Sequence, residues 1–353
     1  MALPPVFGHE TLKNRLAGAI ASSRFPQSAL LSGQVGVGKQ RIALWVAQAL
    51  LCEQTSAGHP CGRCTGCTRV STLSHPDLHW FIPIPRPKGQ DPAKQVEEAE
   101  SSLAEAMAER RKKSQYGRPD GMDSHSIASV RLLQRKVILT PAIARKKVVI
   151  VGDAERLVVQ ESSPEAANAM LKVLEEPPAD TVVLLTVADP QALLPTIRSR
   201  LVPIRVGPIS DEAVRQYLST EADPLVTGAA LDRRVLLAEG SIGRAIWADT
   251  DTEKADRAAE AFLSAVAKGP AGWSAAALSQ VPWHARGEYT ALLDAVSLRI
   301  RLLLKDDRTA DRTRAVRWSQ ALQRVETARW EAQGNANPRL GLAVLGQDLQ
   351  RLL

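Results

Sequence analysis

The sequence predicts an α/β domain, a parallel sheet covered by helices, followed by a small helical domain and a larger all-helical one. Three observations carry this. Gly33-Gln34-Val35-Gly36-Val37-Gly38-Lys39-Gln40 is a glycine loop that follows the apolar run Ala29-Leu30-Leu31 and opens a stretch of helical period. Apolar strand-like runs bounded by turn residues then alternate with helical segments, the pattern of a parallel sheet. From about 256 onward the apolar period is helical throughout.

At 353 residues the chain has room for two or three domains of roughly 150 residues each. Its 44% hydrophobic and 24% charged residues are those of a globular protein rather than a disordered one. No apolar run approaches the ~18 residues needed to span a bilayer. Met1-Ala2-Leu3-Pro4-Pro5 lacks the apolar core of a signal peptide, so a cytoplasmic protein is expected. The net charge of +7 suits nucleic acid or an acidic protein partner equally. It decides neither.

Taken in order, Gly8 to Arg24 spaces Leu12, Leu16 and Ile20 as a helix beside the first strand. In the loop that follows, glycines let the backbone approach an anion, and amide N–H groups at a helix N-terminus face its charge. Lys39 stands where a phosphate-loop lysine reaches the β- and γ-phosphates. The next residue should be Ser or Thr, whose hydroxyl ligates Mg²⁺; here it is Gln40. The loop has lost its metal ligand. Ile42, Trp45, Val46, Leu50 and Leu51 give the ensuing helix an apolar side.

All four cysteines follow as Cys52, Cys61, Cys64 and Cys67, spaced Cys-x8-Cys-x2-Cys-x2-Cys. Two overlapping Cys-x2-Cys steps with Gly inside each aim thiolates at one point, and four thiolates satisfy a structural Zn²⁺ with no open position. His59 is a bystander. A disulfide knot is disfavoured in a reducing compartment.

Pro83, Pro85, Pro87 and Pro92 give a stiff lead-in to a Glu/Ala/Lys/Arg-rich stretch, Ala93 to Lys113, with a narrow stripe at Val96, Ala99, Leu103 and Met107. About 85–122 is therefore expected as a solvent-exposed helical insertion, with Arg110-Arg111-Lys112-Lys113 on a solvated face. A helix from Ile127 to Val137 precedes the strand Lys147 to Val151, which runs into Gly152-Asp153-Ala154-Glu155. Asp153 is placed to hold Mg²⁺ through water opposite the loop. If the strand pattern continues, Glu155 points elsewhere. The helix Ala166 to Glu176, stopped by Pro177-Pro178, leads to strands at Thr181–Thr186 and around Val202–Val206.

Several of these motifs occur together in a known order. The phosphate loop, the cysteine insert, Asp153-Ala154-Glu155, Ala167-Asn168-Ala169-Met170-Leu171-Lys172-Val173-Leu174-Glu175-Glu176-Pro177-Pro178 and Ser199-Arg200-Leu201 resemble the delta-prime family of bacterial DNA polymerase III clamp-loader subunits, related to gamma/tau. The likeness covers about 1–84 and 123–247, with an echo at Asn335-Ala336-Asn337-Pro338-Arg339-Leu340 and the 85–122 insertion outside it. It implies an AAA+ phosphate-loop domain at 1–207 with a zinc module at 52–67, a helical lid at 208–255 opened by Ser210 and Glu212, and a helical collar at 256–353. Stripes at Leu292, Leu293, Val296, Ile300 and Leu303, and at Trp318, Leu322, Val325 and Trp330, would build that collar.

The resemblance also assigns roles. The arginine of a Ser-Arg-Cys motif in this family enters a neighbouring subunit's ATP site, and Arg200 holds that position, with Leu201 for Cys and Arg198 as a competing candidate. Hydrolysing relatives carry a Glu where Ala154 stands and an arginine where Gly243 stands, with Arg244 displaced by one step. Gln40, Ala154 and Gly243 thus each remove a different part of the hydrolysis machinery. A non-hydrolysing clamp-loader subunit is implied, with structural Zn²⁺ and weak or absent ATP binding at Gly33, Gly36, Gly38, Lys39, Gln40 and Asp153. Its partners would be gamma/tau and delta subunits, with the sliding clamp and primed DNA reached through the assembly. The alternatives are an active gamma/tau-type ATPase and a zinc-dependent DNA-binding regulator that borrows the fold.

Overall fold

The computed structural model describes residues 3, 5–89, 91–112, 123–157, 165–247, 252–280, 286–306, 312–333 and 337–352. The chain divides into two compact units, Met1–Trp247 and Ala248–Leu353.

The first unit is built on five parallel strands: β1 (Ser28–Ser32), β2 (Leu78–Phe81), β3 (Lys147–Val151), β4 (Thr181–Val187) and β5 (Val202–Arg205). Their order is β2-β3-β4-β1-β5, with Leu30 opposite Leu185 on one side and Pro203 on the other. β3 and β4 are buried along their whole length, which explains their unbroken Val/Leu/Ile runs. Placing β1 between β4 and β5 sets the loop that follows β1 beside the ends of β3 and β4.

Helices α1 (Glu10–Ala21), α2 (Lys39–Leu50), α3 (Thr65–Ser71), α4 (Pro92–Lys112), α5 (Ile127–Ile138), α6 (Glu165–Glu175) and the short α7 (Pro195–Arg198) accompany the sheet. α5 starts at Ser126, whose hydroxyl accepts the Ser129 N–H at 3.3 Å, a side-chain N-cap. One apolar core, from Leu16 to Val206, joins these helices to the strands.

The sequence reading missed β2, a four-residue edge strand with only Trp80 and Phe81 fully buried. It also misjudged the 85–122 segment. The α4 helix is present, but Val96 and Ala99 are buried in the main core and Leu103 and Met107 pack against it. A narrow stripe suffices because α4 lies on α5 as well as on the domain. Arg110 and Arg111 are correspondingly docked: the Arg110 guanidinium lies 4.4 Å from the centre of the Trp80 ring, and Arg111 donates to the Leu73 carbonyl at 2.8 and 3.1 Å. Lys113 and the rest of this segment to 122 lie outside the described residues.

Helices α8 (Asp211–Thr220), α9 (Gly228–Ala238) and α10 (Ile242–Trp247) complete this unit around a separate small core of Val214, Tyr217, Leu218, Val235 and Ala245. Ser210 caps α8 by accepting the Ala213 N–H at 3.2 Å.

The second unit contains α11 (Thr252–Ala267), α12 (Pro270–Ser279), α13 (Arg286–Asp306), α14 (Arg312–Gln333) and α15 (Pro338–Leu352). Leu292, Leu293, Val296 and Ile300 are buried together with Trp318 and Val325, as their spacing predicts. Leu303 instead is half exposed, one turn past the point where α13 leaves the core. Asn335 and Ala336 lie outside the described residues, as does the Trp330 side chain.

Candidate functional site: a phosphate loop closed on itself

β1 delivers the chain into Gly33, where a Cβ would sit 2.1 Å from the Val206 carbonyl oxygen; no side chain fits. Gly36 (φ 78°) and Gly38 (φ 101°) turn the loop through backbone conformations that other residues adopt at a cost. α2 begins at Lys39. The Lys39 side chain is buried, and Nζ donates to the carbonyls of Gly33 at 2.8 Å and Gln34 at 3.0 Å. Burial lowers its pKa, while the charges of Glu155 and Asp153 act the other way. His9, which sequence reasoning passed over, donates from Nε2 to the Val37 carbonyl at 2.9 Å and braces the loop from α1's side. Nothing in the local sequence around His9 signals that contact.

Gln40 and Asp153 are joined to each other. Gln40 Nε2 donates to Asp153 Oδ2 at 3.0 Å, directly joining the two residues that a metal would bridge. Gly152 makes room for this: a Cβ there would lie 2.7 Å from Gln40 Oε1. Asp153 itself sits at φ 50°, with its N–H donated to Thr186 Oγ1 at 3.1 Å. The pair offers no hydroxyl to a divalent cation and already engages one oxygen of the Asp153 carboxylate. Arg110 Nη1 lies 3.5 Å from Gln40 Oε1, so α4 brings a guanidinium beside the same pair.

Glu155 corrects a sequence expectation. The strand pattern ends at Val151, and Ala154–Leu157 is a 3-10 turn. Ala154 goes into the core while Glu155 turns inward, its Oε1 accepting the Ala188 N–H at 3.1 Å. Burial raises its pKa, with Asp153 adding to the rise and Lys39 opposing it.

The 239–243 segment closes the loop from above. Gln34 Nε2 donates to the Glu239 carbonyl at 2.9 Å, Ser241 Oγ to the Val35 carbonyl at 3.0 Å, and Gly243 N–H to the Gly36 carbonyl at 3.0 Å. A Cβ on Gly36 would meet Ser241 Oγ at 2.7 Å and the Gly243 Cα at 2.9 Å. Arg244, one step on, pairs with Glu239.

Arg200 lies on the surface, outside these hydrogen bonds, held by Glu175 Oε1 at 2.6 Å and the Thr196 carbonyl at 2.7 Å. Arg198 bonds Gln191 instead.

The cysteines converge. The Sγ atoms of Cys52, Cys61, Cys64 and Cys67 all lie within 4.8 Å of one another. Cys52–Cys64 and Cys61–Cys67 Sγ separations are 3.8 and 3.9 Å. Thiolates ~2.3 Å from a tetrahedral zinc are spaced by about that much, whereas a disulfide needs ~2.05 Å. Backbone N–H groups of Cys61 and Cys64 point at Cys52 and Cys61 sulfurs at 3.4 and 3.3 Å, the outer contacts that stabilise metal-bound thiolates. Amide hydrogen bonds from Arg63 and Cys64 bring the Cys61 thiol down to about 6. The donor set fits one structural metal ion. His59 stays out, its ring stacked edge-on with Trp45 at 5.7 Å.

A parallel sheet with a glycine loop, a buried lysine and an acidic strand end defines the phosphate-loop class of α/β domains. Within it, the sequence model of the family described as DNA polymerase III, delta subunit, matches residues 8–210, more than half of the chain. The chain belongs to that family. It is 32% identical over 212 residues to DNA polymerase III subunit delta' of Pseudomonas aeruginosa, covering 60% of this chain and 52% of that one. With DNA polymerase III subunit delta' of Bacillus subtilis it is 29% identical over 203 residues, 58% and 49% of the two chains. DNA polymerase III subunit tau of Escherichia coli matches at 28% over 244 residues, 68% and 31%. The chain thus spans about half the length of the delta' relatives it matches. No helix among the described residues is long and apolar enough to cross a membrane.

Proposed function

We propose that this chain is a non-hydrolysing, delta-prime-type subunit of a cytoplasmic clamp loader. It would assemble with gamma/tau-type and delta-type subunits, and through them help load a sliding clamp onto primed DNA during replication. Family membership supports the assignment. The single observation that carries the non-hydrolysing part is the hydrogen bond from Gln40 to Asp153, which occupies the metal's two anchor points. Gly243, hydrogen-bonded to Gly36, supports it further, since no arginine reaches the phosphates from that position.

In this reading Arg200 serves a neighbour. A planar guanidinium on the surface, beside the short α7 helix, can spread positive charge over the γ-phosphate oxygens of an ATP bound next door. The four cysteines would hold one structural Zn²⁺ that fixes residues 52–67, and the 208–255 and 256–353 regions would act as lid and collar.

The test is co-purification with gamma/tau- and delta-type subunits, followed by an ATPase assay with and without clamp and primed DNA. Clamp- and DNA-stimulated turnover that requires this chain is expected. Brisk Mg²⁺-dependent turnover by the chain alone, lost in Lys39→Ala, would overturn the reading in favour of an active gamma/tau-type ATPase.

A further inference from the structure

Arg200 is exposed, yet the two acceptors that hold it stand on packed elements. Glu175 is the last residue of α6, whose Met170, Val173 and Leu174 are buried in the main core. Pro177-Pro178 ends the helix there, and Gln27 Nε2, just before β1, donates to the Pro177 carbonyl at 3.2 Å. Thr196 lies on α7, which the fully buried Ile197 pins to the domain. Its carbonyl also accepts from Ser199 Oγ at 3.0 Å. The Arg200 guanidinium spans the two elements: Nη2 donates to Glu175 Oε1 at 2.6 Å and Nη1 to the Thr196 carbonyl at 2.7 Å. A guanidinium is a planar fork of N–H donors, so these two bonds fix its plane and leave further donors for a ligand.

We propose that Glu175 is a positioning residue for ATP hydrolysis in the neighbouring subunit, acting through Arg200: it holds the guanidinium in one plane before a phosphate arrives. The inference rests on the reading of Arg200 as a finger that serves a neighbour. A free arginine side chain on a surface samples many rotamers, and freezing them at the moment of reaction slows it. An acceptor carried by a packed helix removes much of that loss beforehand. The carboxylate's own charge opposes the phosphates only weakly, because the Glu175 side chain is 46% exposed and water and salt screen it.

The experiment is steady-state ATP turnover by the assembly reconstituted from this chain and its gamma/tau- and delta-type partners, with clamp and primed DNA. Glu175→Ala should lower kcat about five-fold, the scale an exposed charge pair can supply, with KM for ATP within about two-fold of wild type. Glu175→Gln, which keeps the acceptor oxygen and loses the charge, should recover part of that loss. In an Arg200→Ala background Glu175→Ala should lower turnover no further, because it acts only through the guanidinium. Wild-type kcat in Glu175→Ala, a loss carried by KM, or an equal loss in the Arg200→Ala background each overturns the proposal. Arg200→Ala alone reports separately on the parent reading. If it lowers turnover while Glu175→Ala does not, only the present inference falls; if it changes nothing, the finger reading falls with it.

Discussion

The guanidinium of Arg200 and the carboxylate of Glu175 meet at 2.6 Å on the surface, at the end of α6 and just past α7. Both side chains are substantially exposed, so solvent screens the pair and its contribution to stability is small, ~1 kcal/mol or less. Arg200→Ala is therefore expected to leave the denaturation midpoint nearly unchanged. In the reconstituted assembly it should cut ATP turnover by ~10³-fold or more, as for other arginine fingers, with subunit association intact. Arg198→Ala, whose guanidinium bonds Gln191, should stay within a few-fold of wild type. Reversal of that ranking in a steady-state ATPase assay would move the finger to Arg198.

Metal removal is the second test. Elemental analysis should find about one zinc per chain. Chelation should then lower the melting temperature, because a four-thiolate site contributes on the order of 10 kcal/mol to the local fold in isolated zinc modules. Cys61→Ser together with Cys64→Ser should do the same and make the 52–67 segment sensitive to protease. A folded, zinc-free sample with unchanged melting would count against the site.

Packing of the 239–243 segment on the loop makes a prediction about Gly36. Alanine there adds a Cβ 2.7 Å from Ser241 Oγ at φ 78°. Strain of this sort costs about 1–3 kcal/mol. Gly36→Ala should shift the urea midpoint accordingly and expose the 239–243 segment to protease; an unchanged digestion pattern would mean the segment can give way freely.

Four histidines set a pH trend. Burial lowers the pKa of His9, His75, His79 and His125, with His79 brought to about 4. His125 is buried, and its Nε2 donates to the Gly152 carbonyl at 2.7 Å. Since the unfolded imidazoles keep values near 6.5, the unfolded chain binds more protons once the pH drops below that. Stability from these groups is fully present above about 6.5 and declines as the pH falls below it, for His79 down to about 4. Denaturant midpoints measured from neutral pH downward should fall steadily, and less steeply in a His79→Gln variant.

How much of this was legible beforehand follows from the range of each signal. The loop, the cysteine module and the acidic strand end are contiguous motifs, so residue type and spacing were enough to single out Lys39, Gln40, Cys61 and Asp153. β2 escaped because four residues at a sheet edge give too little apolar pattern to register. α4 was found and yet misjudged as solvated, since a stripe of Val96 and Ala99 has enough apolar surface only when a neighbouring helix covers the rest. Glu155 was aimed the wrong way because a 3-10 turn, which rotates successive side chains differently from a strand, replaced the assumed pattern.

The amino-acid order by itself determined that a glycine loop ending in Lys39 follows the first strand, that Gln40 rather than a hydroxyl residue comes next, and that four thiols gather within one short stretch. Only the tertiary structure decided what fills the gap. Gln40 and Asp153 are far apart in the chain, and Arg110 lies on a helix between them. Their meeting depends on β1 lying next to β4 and on α4 docking against the sheet domain. Contacts of that kind arise from the packing of apolar faces on elements remote in sequence, and no local spacing of residues encodes them.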